Sequence, residues 1–330
     1  MIKRIIKRIL KAFFGTIGLL IVFVVLCLVA GLASEVISGG NIVPPSETID
    51  FESEESRSEE NTAEYETEQE DNQKQTSENP DEYNAILNAL NNYENEVVLP
   101  GITGEKAGDL FLNVTREHPE VFWVSGSWKT RELTSLDGLS TTLIFTYLDS
   151  SEEIAKKKTD FDEKLAGIAN EASKKSSDFD RVLFVHDYLV DNSRYDTETA
   201  ASGNADSYGH TAYGCIVLGS GVCDSYSKAF MCILQKINIE CMYVRGVANN
   251  GSGSENHAWN IAKLDGEYYQ FDITWDDPVM SDGSDGKQYD YFGITTEEIK
   301  ADHAFDNEAA YPVCTATDNN YFIHEGISKE

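Results

Sequence analysis

The sequence predicts an α+β fold in which one helix packs against an antiparallel sheet. Two observations carry this prediction: apolar residues recur at helical spacing after Cys223, and strand-like runs at 257–264 and 267–275 flank the dipeptide Asp265-Gly266. An Asp-Gly pair between two such runs is a strong signal of a β-hairpin. We therefore expect a helix that begins at or next to Cys223, followed by a hairpin, at the centre of the fold.

The predicted helix follows a glycine-rich turn, Gly219-Ser220-Gly221. The apolar side chains that then recur at helical spacing are Tyr226, Phe230, Ile233, Leu234 and Ile237. A thiol at a helix start, such as that of Cys223, faces unpaired N–H groups and the positive end of the helix dipole. Both favour the thiolate, which is the nucleophilic form. The same N–H groups could stabilise the oxyanion of a tetrahedral intermediate.

The predicted hairpin places a histidine and an aspartate together. A two-residue turn sets His257 opposite Thr274 and Trp259 opposite Asp272. His257 and Asp272 are then diagonal neighbours on one face, within side-chain reach of each other. The other face of the second strand carries the apolar side chains expected in the core, which are Tyr269, Phe271, Ile273 and Trp275.

Cys223, His257 and Asp272 form the set that nucleophilic thiol chemistry requires. The sulfur attacks, the imidazole takes its proton, and the carboxylate orients the imidazole. Taken singly, they could be a buried small residue, a strand-end residue and a solvated strand residue. Together, at a helix start and on one hairpin face, they predict a catalytic triad for acyl transfer, with Trp259 and Trp275 expected to shield it from solvent.

Three motifs around these residues resemble the transglutaminase-like superfamily. They are GVCDSY at 221–226, NHAWN at 256–260 and YYQFDITWDD at 268–277, within a region of about residues 180–280. The resemblance implies a papain-like cysteine-enzyme core. In that core Cys223 is the nucleophile, His257 the base and Asp272 the orienting residue.

Two further residues gain an interpretation from this resemblance. Ser225 stands where bacterial relatives usually carry glycine, and we expect it to alter how closely a substrate approaches the helix start. Tyr213 lies upstream of the nucleophile, where such enzymes can draw a further oxyanion donor or a cleft wall; core packing is the alternative.

The first 80 residues predict a membrane anchor and a tether. Basic residues crowd positions 1–11, and residues 12–33 carry no charge and are rich in leucine, isoleucine, valine and phenylalanine. About 20 such residues cross a hydrocarbon layer of ~30 Å, and a basic flank stays cytoplasmic. We therefore expect a single-pass transmembrane helix at 12–33 with the remainder outside the cell; a cleaved signal peptide is the alternative. Residues 34–80 are glutamate-rich and predict a disordered acidic linker.

Residues 81–175 predict a small α/β region, and residues 176–330 predict the catalytic domain. Strand-like runs lie at 121–124 and 141–147, and helical spacing indicates helices near 81–93, 107–114, 152–172 and 180–192. The first region shows no obvious chemistry. His186 could face the site, although a packed or surface helical histidine is the better interpretation.

Composition excludes several classes of function. A net charge of −31 argues against nucleic-acid binding. No cysteine or histidine spacing is typical of a metal site, and we expect neither a metal nor a cofactor. If Cys223 is free, four cysteines remain beyond the predicted anchor and three disulfide pairings stay open, although Cys232 could equally be a buried apolar residue. His303 and His324 lie in a tail with no partner pattern.

The predicted function is acyl transfer through a Cys223 thioester on protein or cell-wall peptide amides at the cell surface. Water as acceptor would give a peptidase or a deamidase, and a lysine amine would give a crosslinking transglutaminase; the fold alone does not choose between them. The alternative is a catalytically inactive binding or scaffold module that keeps the fold.

Overall fold

The computed structural model describes residues 37–41, 80–136, 138–251, 253–278 and 286–329. The predicted basic segment at 1–11 and the predicted transmembrane helix at 12–33 lie outside the described residues. Within the described ranges, no helix is both long and apolar enough to span a bilayer.

The first part of the described chain forms a four-stranded antiparallel sheet with helices packed against it. In chain order its elements are β1 (Ile37–Asn41), α1 (Pro80–Asn91), β2 (Glu96–Pro100), α2 (Gly104–Glu117), β3 (Val124–Ser135), β4 (Gly138–Tyr147) and α3 (Ser151–Ser173). The strand order is β1-β3-β4-β2. Side-chain oxygens cap two of the helices at their first turn: Thr103 accepts from the N–H of Lys106, and Ser150 accepts from that of Glu153.

Three predicted helices in this part are confirmed as α1, α2 and α3, and the predicted strand at 141–147 is confirmed within β4. The strand predicted at 121–124 is wrong, because 121–123 form a turn and β3 begins at Val124. Trp123 is nevertheless buried, and its indole N–H donates to the carbonyl of Leu90 at 3.1 Å. A short apolar run indicates burial, but its periodicity does not identify a strand. β2 was not predicted, and β1 lies inside the segment predicted to be a linker.

The second part forms a five-stranded antiparallel sheet that packs on a central helix. Its elements are α4 (Asp178–Asn192), α5 (Thr197–Ser202), α6 (Cys223–Lys236), β5 (Cys241–Asn249), β6 (Ser254–Leu264), β7 (Glu267–Phe271), β8 (Phe292–Ile294), α7 (Thr296–Ile299), β9 (His303–Phe305) and α8 (Tyr321–Glu325). The strand order is β8-β7-β6-β5-β9. This mixed helix-and-sheet arrangement confirms the predicted α+β class and the helix-on-sheet core.

Helix α6 lies at the centre of the core because its second half is apolar on every side, from Ala229 to Leu234. It packs on β5 and β6 on one side and on α3 and α4 on the other. Tyr226, Phe230 and Ile233 are almost completely buried along it. A helix that is apolar all round is stable only when it is covered on several sides, so α6 is held rigidly with Cys223 at its first residue.

One hydrophobic core runs through both parts of the described chain. Phe122, from the turn before β3, lies with its ring 4.7 Å from Phe161 of α3 and 4.8 Å from Tyr213. The two regions therefore share buried surface, and the first region is positioned to form a wall beside the second.

Candidate active site

Cys223 is the first residue of α6, as the sequence predicts. Gly219 adopts the left-handed conformation at φ 68° that turns the chain into the helix. The N–H groups of Ser225 and Tyr226 bond back to the carbonyl of Val222. Those of Cys223 and Asp224 make no hydrogen bond to any other described residue, so two donors remain at the helix start for a substrate oxyanion.

The predicted hairpin register is confirmed from Leu264 opposite Glu267 to Asn260 opposite Phe271. The second strand was predicted to continue to Trp275, and that is wrong because β7 ends at Phe271. Asp272 turns the chain: its Oδ1 accepts the N–H groups of Thr274 at 3.0 Å and Trp275 at 3.2 Å. Trp275 is consequently half-buried beside the site rather than in the strand core.

His257 and Asp272 are joined in the interior. The Nε2 of His257 lies 2.7 Å from Oδ2 of Asp272, and the two residues are 5% and 1% exposed. The imidazole also interacts with Cys223. Because Asp272 holds Nε2, Nδ1 is the nitrogen left for the sulfur. The structure therefore brings together all three residues of the predicted triad, in the order thiol, imidazole, carboxylate.

The electrostatics of this pair favour its charged form. Burial lowers the pKa of His257, but the Asp272 charge, their hydrogen bond and Cys223 outweigh burial and raise that pKa well above its ordinary value. Burial raises the pKa of Asp272, but the neighbouring His257 and His303 outweigh it and hold that pKa well below its usual range. A permanently ionised Asp272 is what an imidazolium at His257 requires.

His303 is a fourth residue of the site, and its role was not predicted from the sequence. Its Nε2 lies 3.0 Å from the same Oδ2 of Asp272, and its Nδ1 lies 2.6 Å from Oδ1 of Asp302. Strand β9 delivers it by pairing with β5, where Gly246 allows the close approach: a Cβ there would lie 1.9 Å from the carbonyl oxygen of Ala304. No local sequence pattern predicts a three-residue edge strand, so the place of His303 in the site could be identified only from the fold.

His257, Asp272 and His303 are also a group that could hold a metal ion, since their ligating atoms lie within 4.8 Å of one another. The sequence predicted no metal site. The ring-nitrogen-to-oxygen distances of 2.7 Å and 3.0 Å are those of hydrogen bonds. Ligands about 2.0 Å from a tetrahedral ion would stand roughly 3.3 Å apart, so the observed spacing fits one proton between each pair of atoms better.

The two tryptophans pack against the imidazoles, in agreement with the expected shielding. Trp259 is fully buried, its ring lies 6.4 Å from that of His257, and its indole N–H donates to Gln270 at 2.9 Å. The ring of Trp275 lies 5.5 Å from that of His257 and 4.5 Å from that of His303. They surround the buried side of the triad and do not line the open side.

A cavity of about 340 Å³ lies on the open side, beside Cys223 and His257. One wall comes from the first region, which was predicted to show no chemistry, and its residues include Thr115, Pro119, Val121, Phe122, Val124 and Ser125. The volume is in the range that accommodates a small ligand or a few substrate groups. The first region therefore shapes the cavity in which the nucleophile lies.

Tyr213 does not reach this cavity. It is 4% exposed and stacks on Phe122 in the core, so the packing alternative holds and the cleft role is wrong. Tyr195 lines the cavity beside Cys223 instead, placed by a bridge to Gly221. Burial and the neighbouring Cys223 raise the pKa of Tyr195 well above its ordinary value, so its hydroxyl stays protonated and can donate to a substrate.

Ser225 stands where the family resemblance leads us to expect glycine. Its side chain connects α6 to the segment that precedes the helix. It is fully buried; its Oγ donates to the carbonyl of Thr211 at 2.6 Å and accepts the N–H of Cys215 at 3.0 Å. Its Cβ lies against Gly221, where a side chain would come within 2.3 Å of it. Ser225 therefore fixes the segment before the nucleophile against α6.

Replacing Ser225 by alanine is expected to lower the free energy of unfolding by about 1–3 kcal/mol, because the buried N–H of Cys215 loses its hydrogen-bond acceptor. Urea denaturation measures this change. Ser202→Ala, at an exposed position, is the control and should stay within about 0.5 kcal/mol. An equal, small effect at both positions would contradict the connector role.

Replacing His303 by phenylalanine is expected to slow alkylation of Cys223 by roughly 10-fold and to move the acid limb of its pH profile upward. Asp272 would lose a donor that holds its pKa down. The measurement is the rate with iodoacetamide between about pH 4 and pH 9. His324→Phe is the control, because that side chain is 39% exposed; an unshifted acid limb in His303→Phe would show that the residue only fills space.

The other cysteines and His186 lie outside the site. Cys215, Cys232, Cys241 and Cys314 are free and buried, so none of the disulfides left open by the sequence forms among the described cysteines. Burial raises the pKa of Cys215 to about 12 and that of Cys314 to about 11. His186 is buried with its Nε2 3.2 Å from Oδ2 of Asp276, which confirms the packed interpretation.

Parts of this chain are similar to known proteins. Residues 166–273 match the transglutaminase-like superfamily. Kyphoscoliosis peptidase of Mus musculus is 25% identical over 140 residues, which are 40% of this chain and only 20% of that protein. A crystal structure of a TGase superimposes with a TM-score of 0.32 at 13% identity, over 54% of this chain and 50% of that one. A candidate cysteine protease from Cytophaga hutchinsonii superimposes with a TM-score of 0.30 at 17% identity, over 44% and 61% of the two chains.

The matched residues hold the nucleophile helix and the hairpin with all three triad residues, in the order that the sequence motifs predict. Residues 166–273 therefore form a transglutaminase-like domain within this chain.

Proposed function

We propose that this protein is a cysteine enzyme that transfers acyl groups from protein or peptide amides through a thioester on Cys223. The observation that carries the proposal is the triad at the cavity. Cys223 contacts His257, whose Nε2 lies 2.7 Å from the ionised Asp272. A cysteine with a purely structural role would need neither the His257–Asp272 pair nor an adjacent cavity.

The geometry supports the following acylation step. The thiolate of Cys223 attacks the amide carbonyl carbon. The resulting oxyanion accepts hydrogen bonds from the N–H groups at the start of α6 and from the hydroxyl of Tyr195. His257 gives its proton to the nitrogen as the C–N bond breaks, so the amine leaves neutral and Cys223 holds a thioester. Asp272 keeps the imidazole in the orientation that points Nδ1 at the sulfur.

The second step returns the enzyme to its starting state. His257, now neutral, takes a proton from water or from an amine, which attacks the thioester carbonyl. The carbon–sulfur bond breaks, and the product is an acid or a new amide. We place water first as acceptor because the mouse relative is named a peptidase.

We also place the enzyme at the outer surface of a membrane. The predicted anchor at 12–33 and the predicted acidic linker at 34–80 support this location. Surface proteins and cell-wall peptides are then the accessible amides.

The test is mass spectrometry of peptides incubated with the full-length protein. Glutamine-containing peptides and cell-wall peptides would be supplied with and without a primary amine. We expect backbone cleavage or conversion of a side-chain amide to an acid, or an amine adduct if transamidation competes, and none of these with Cys223→Ala. Unchanged peptide masses throughout would favour the inactive scaffold.

A further inference from the structure

Two cationic side chains line the cavity, and a third lies near them. Lys228 of α6 and Arg245 of β5 line it together with Cys223. Arg116, in the last turn of α2, does not line the cavity but lies within electrostatic reach of both. We call Arg116, Lys228 and Arg245 the cationic cluster.

Carboxylates do not neutralise the cationic cluster fully. In the part of the chain that the structure describes, no carboxylate oxygen lies within 4.0 Å of a nitrogen of Lys228 or Arg116. Arg245 has only Asp306, at 3.9 Å from its Nε and 52% exposed. Lys228 donates instead to the carbonyl of His210 at 2.9 Å.

Asp224 is a partly buried carboxylate of the cavity lining, and both of its oxygens already have hydrogen-bond partners. Oδ1 accepts the hydroxyl of Tyr243, and Oδ2 lies 3.2 Å from Nδ1 of His210. The Nε2 of His210 is buried without a partner in the described structure, and His210 lines the cavity. Asp224 therefore compensates part of the positive charge without forming an ion pair with Lys228 or Arg245.

Burial lowers the pKa of Lys228 and of Arg116. The charge of Asp224 raises both pKa values, whereas repulsion by Arg245 lowers both, so the cationic cluster is only partly compensated. Glu255, the remaining acidic residue of the lining, is exposed and within 3.4 Å of the Asn250 amide. An anion that enters the cavity would relieve the repulsion and replace lost hydration.

We propose that the cationic cluster is a subsite for a substrate carboxylate, so that the enzyme prefers amides that lie next to an acidic residue. This inference rests on the proposed function and adds its substrate class. Arginine and lysine are suited to it because their N–H groups make charge-assisted bonds to a carboxylate, and a guanidinium can do so with two parallel bonds. The cluster and the thiol line one cavity, so one short peptide segment can contact both.

The test compares two alkylating probes of equal shape, iodoacetyl-glutamate amide and iodoacetyl-glutamine amide, on the full-length protein. Peptide mapping reports the rate at Cys223 for each probe. We expect the glutamate probe to react about 10-fold faster at low ionic strength, and this advantage to shrink as salt screens the cluster. Arg245→Gln and Lys228→Gln should bring the ratio of the two rates towards one, whereas the control Lys300→Gln, which removes a charge far from the cavity lining, should keep it.

Equal rates for the two probes on the wild-type protein would overturn the subsite while leaving a reactive Cys223 intact. A ratio that survives both cavity substitutions would also overturn it. The wild-type ratio and its salt dependence decide the question even if Lys228→Gln does not fold. Slow labelling by both probes, at the rate of buried Cys215, would overturn the proposed function itself and the subsite with it.

Discussion

Replacing His257 by alanine is expected to slow alkylation of Cys223 by iodoacetamide near pH 6 by about 100-fold. In the native site the imidazolium of His257 contacts the sulfur, and the pKa of His257 is raised well above its ordinary value by Asp272. Without this partner no neighbouring cation stabilises a thiolate, and less than about 1% of an isolated cysteine thiol is ionised near pH 6. The measurement is the second-order rate from intact mass and peptide mapping.

The pH dependence separates this mechanism from simple misfolding. The loss should shrink above about pH 9, where an unassisted thiol ionises by itself. His324→Ala serves as control, because it removes a histidine that is 39% exposed and distant in sequence from the triad. A loss of equal size at every pH would mean that His257 does not act on the thiol proton.

Replacing Asp272 by asparagine is expected to reduce turnover of an amide substrate by about 10²–10⁴-fold. The carboxylate accepts from both His257 and His303, and an amide cannot balance an imidazolium in a buried site. Turnover would be followed on whichever peptide the mass-spectrometric screen identifies. Asp162→Asn is the matched control, because the Asp162 side chain is 54% exposed and pairs with Lys158, which does not line the cavity; similar losses in both variants would contradict the role of Asp272.

The same substitution is expected to change how the free energy of unfolding depends on pH. The pKa of Asp272 is lowered in the folded protein. Its contribution to the free energy of unfolding is therefore present above the pKa of the unfolded chain, about 3.9, and is lost as the pH falls below that value. The pKa of His257 is raised, so its contribution is complete below about 6.5 and is lost as the pH rises through the folded value. The gap in unfolding free energy between wild type and Asp272→Asn should therefore be widest between about pH 4 and pH 6.5, on the order of 2 kcal/mol.

The parts of the site that follow from local rules were predictable from sequence. Gly219 and the apolar spacing after Cys223 place the helix start, and the Asp265-Gly266 turn sets the hairpin register that brings His257 to Asp272. Each depends on a few neighbouring residues, so tertiary packing had little to override.

The parts that depend on distant or competing contacts were not predictable. Asp272 ends its strand because its own carboxylate captures two backbone N–H groups, in competition with the sheet. His303 reaches the triad on a three-residue edge strand. Tyr195 rather than Tyr213 lines the cavity, because α5 and a helical turn at Tyr208–His210 separate the two residues and Tyr213 stacks in the core.

The most direct test of the central claim is competition among the cysteines of the wild-type protein for iodoacetamide near pH 6. Cys223 is the one partly exposed cysteine among those described, and burial holds the others as neutral thiols. We predict that Cys223 reacts at least about 100-fold faster than Cys215 or Cys314. Reaction of Cys223 at the same rate as these buried thiols would contradict the account, because the triad would then not activate its sulfur.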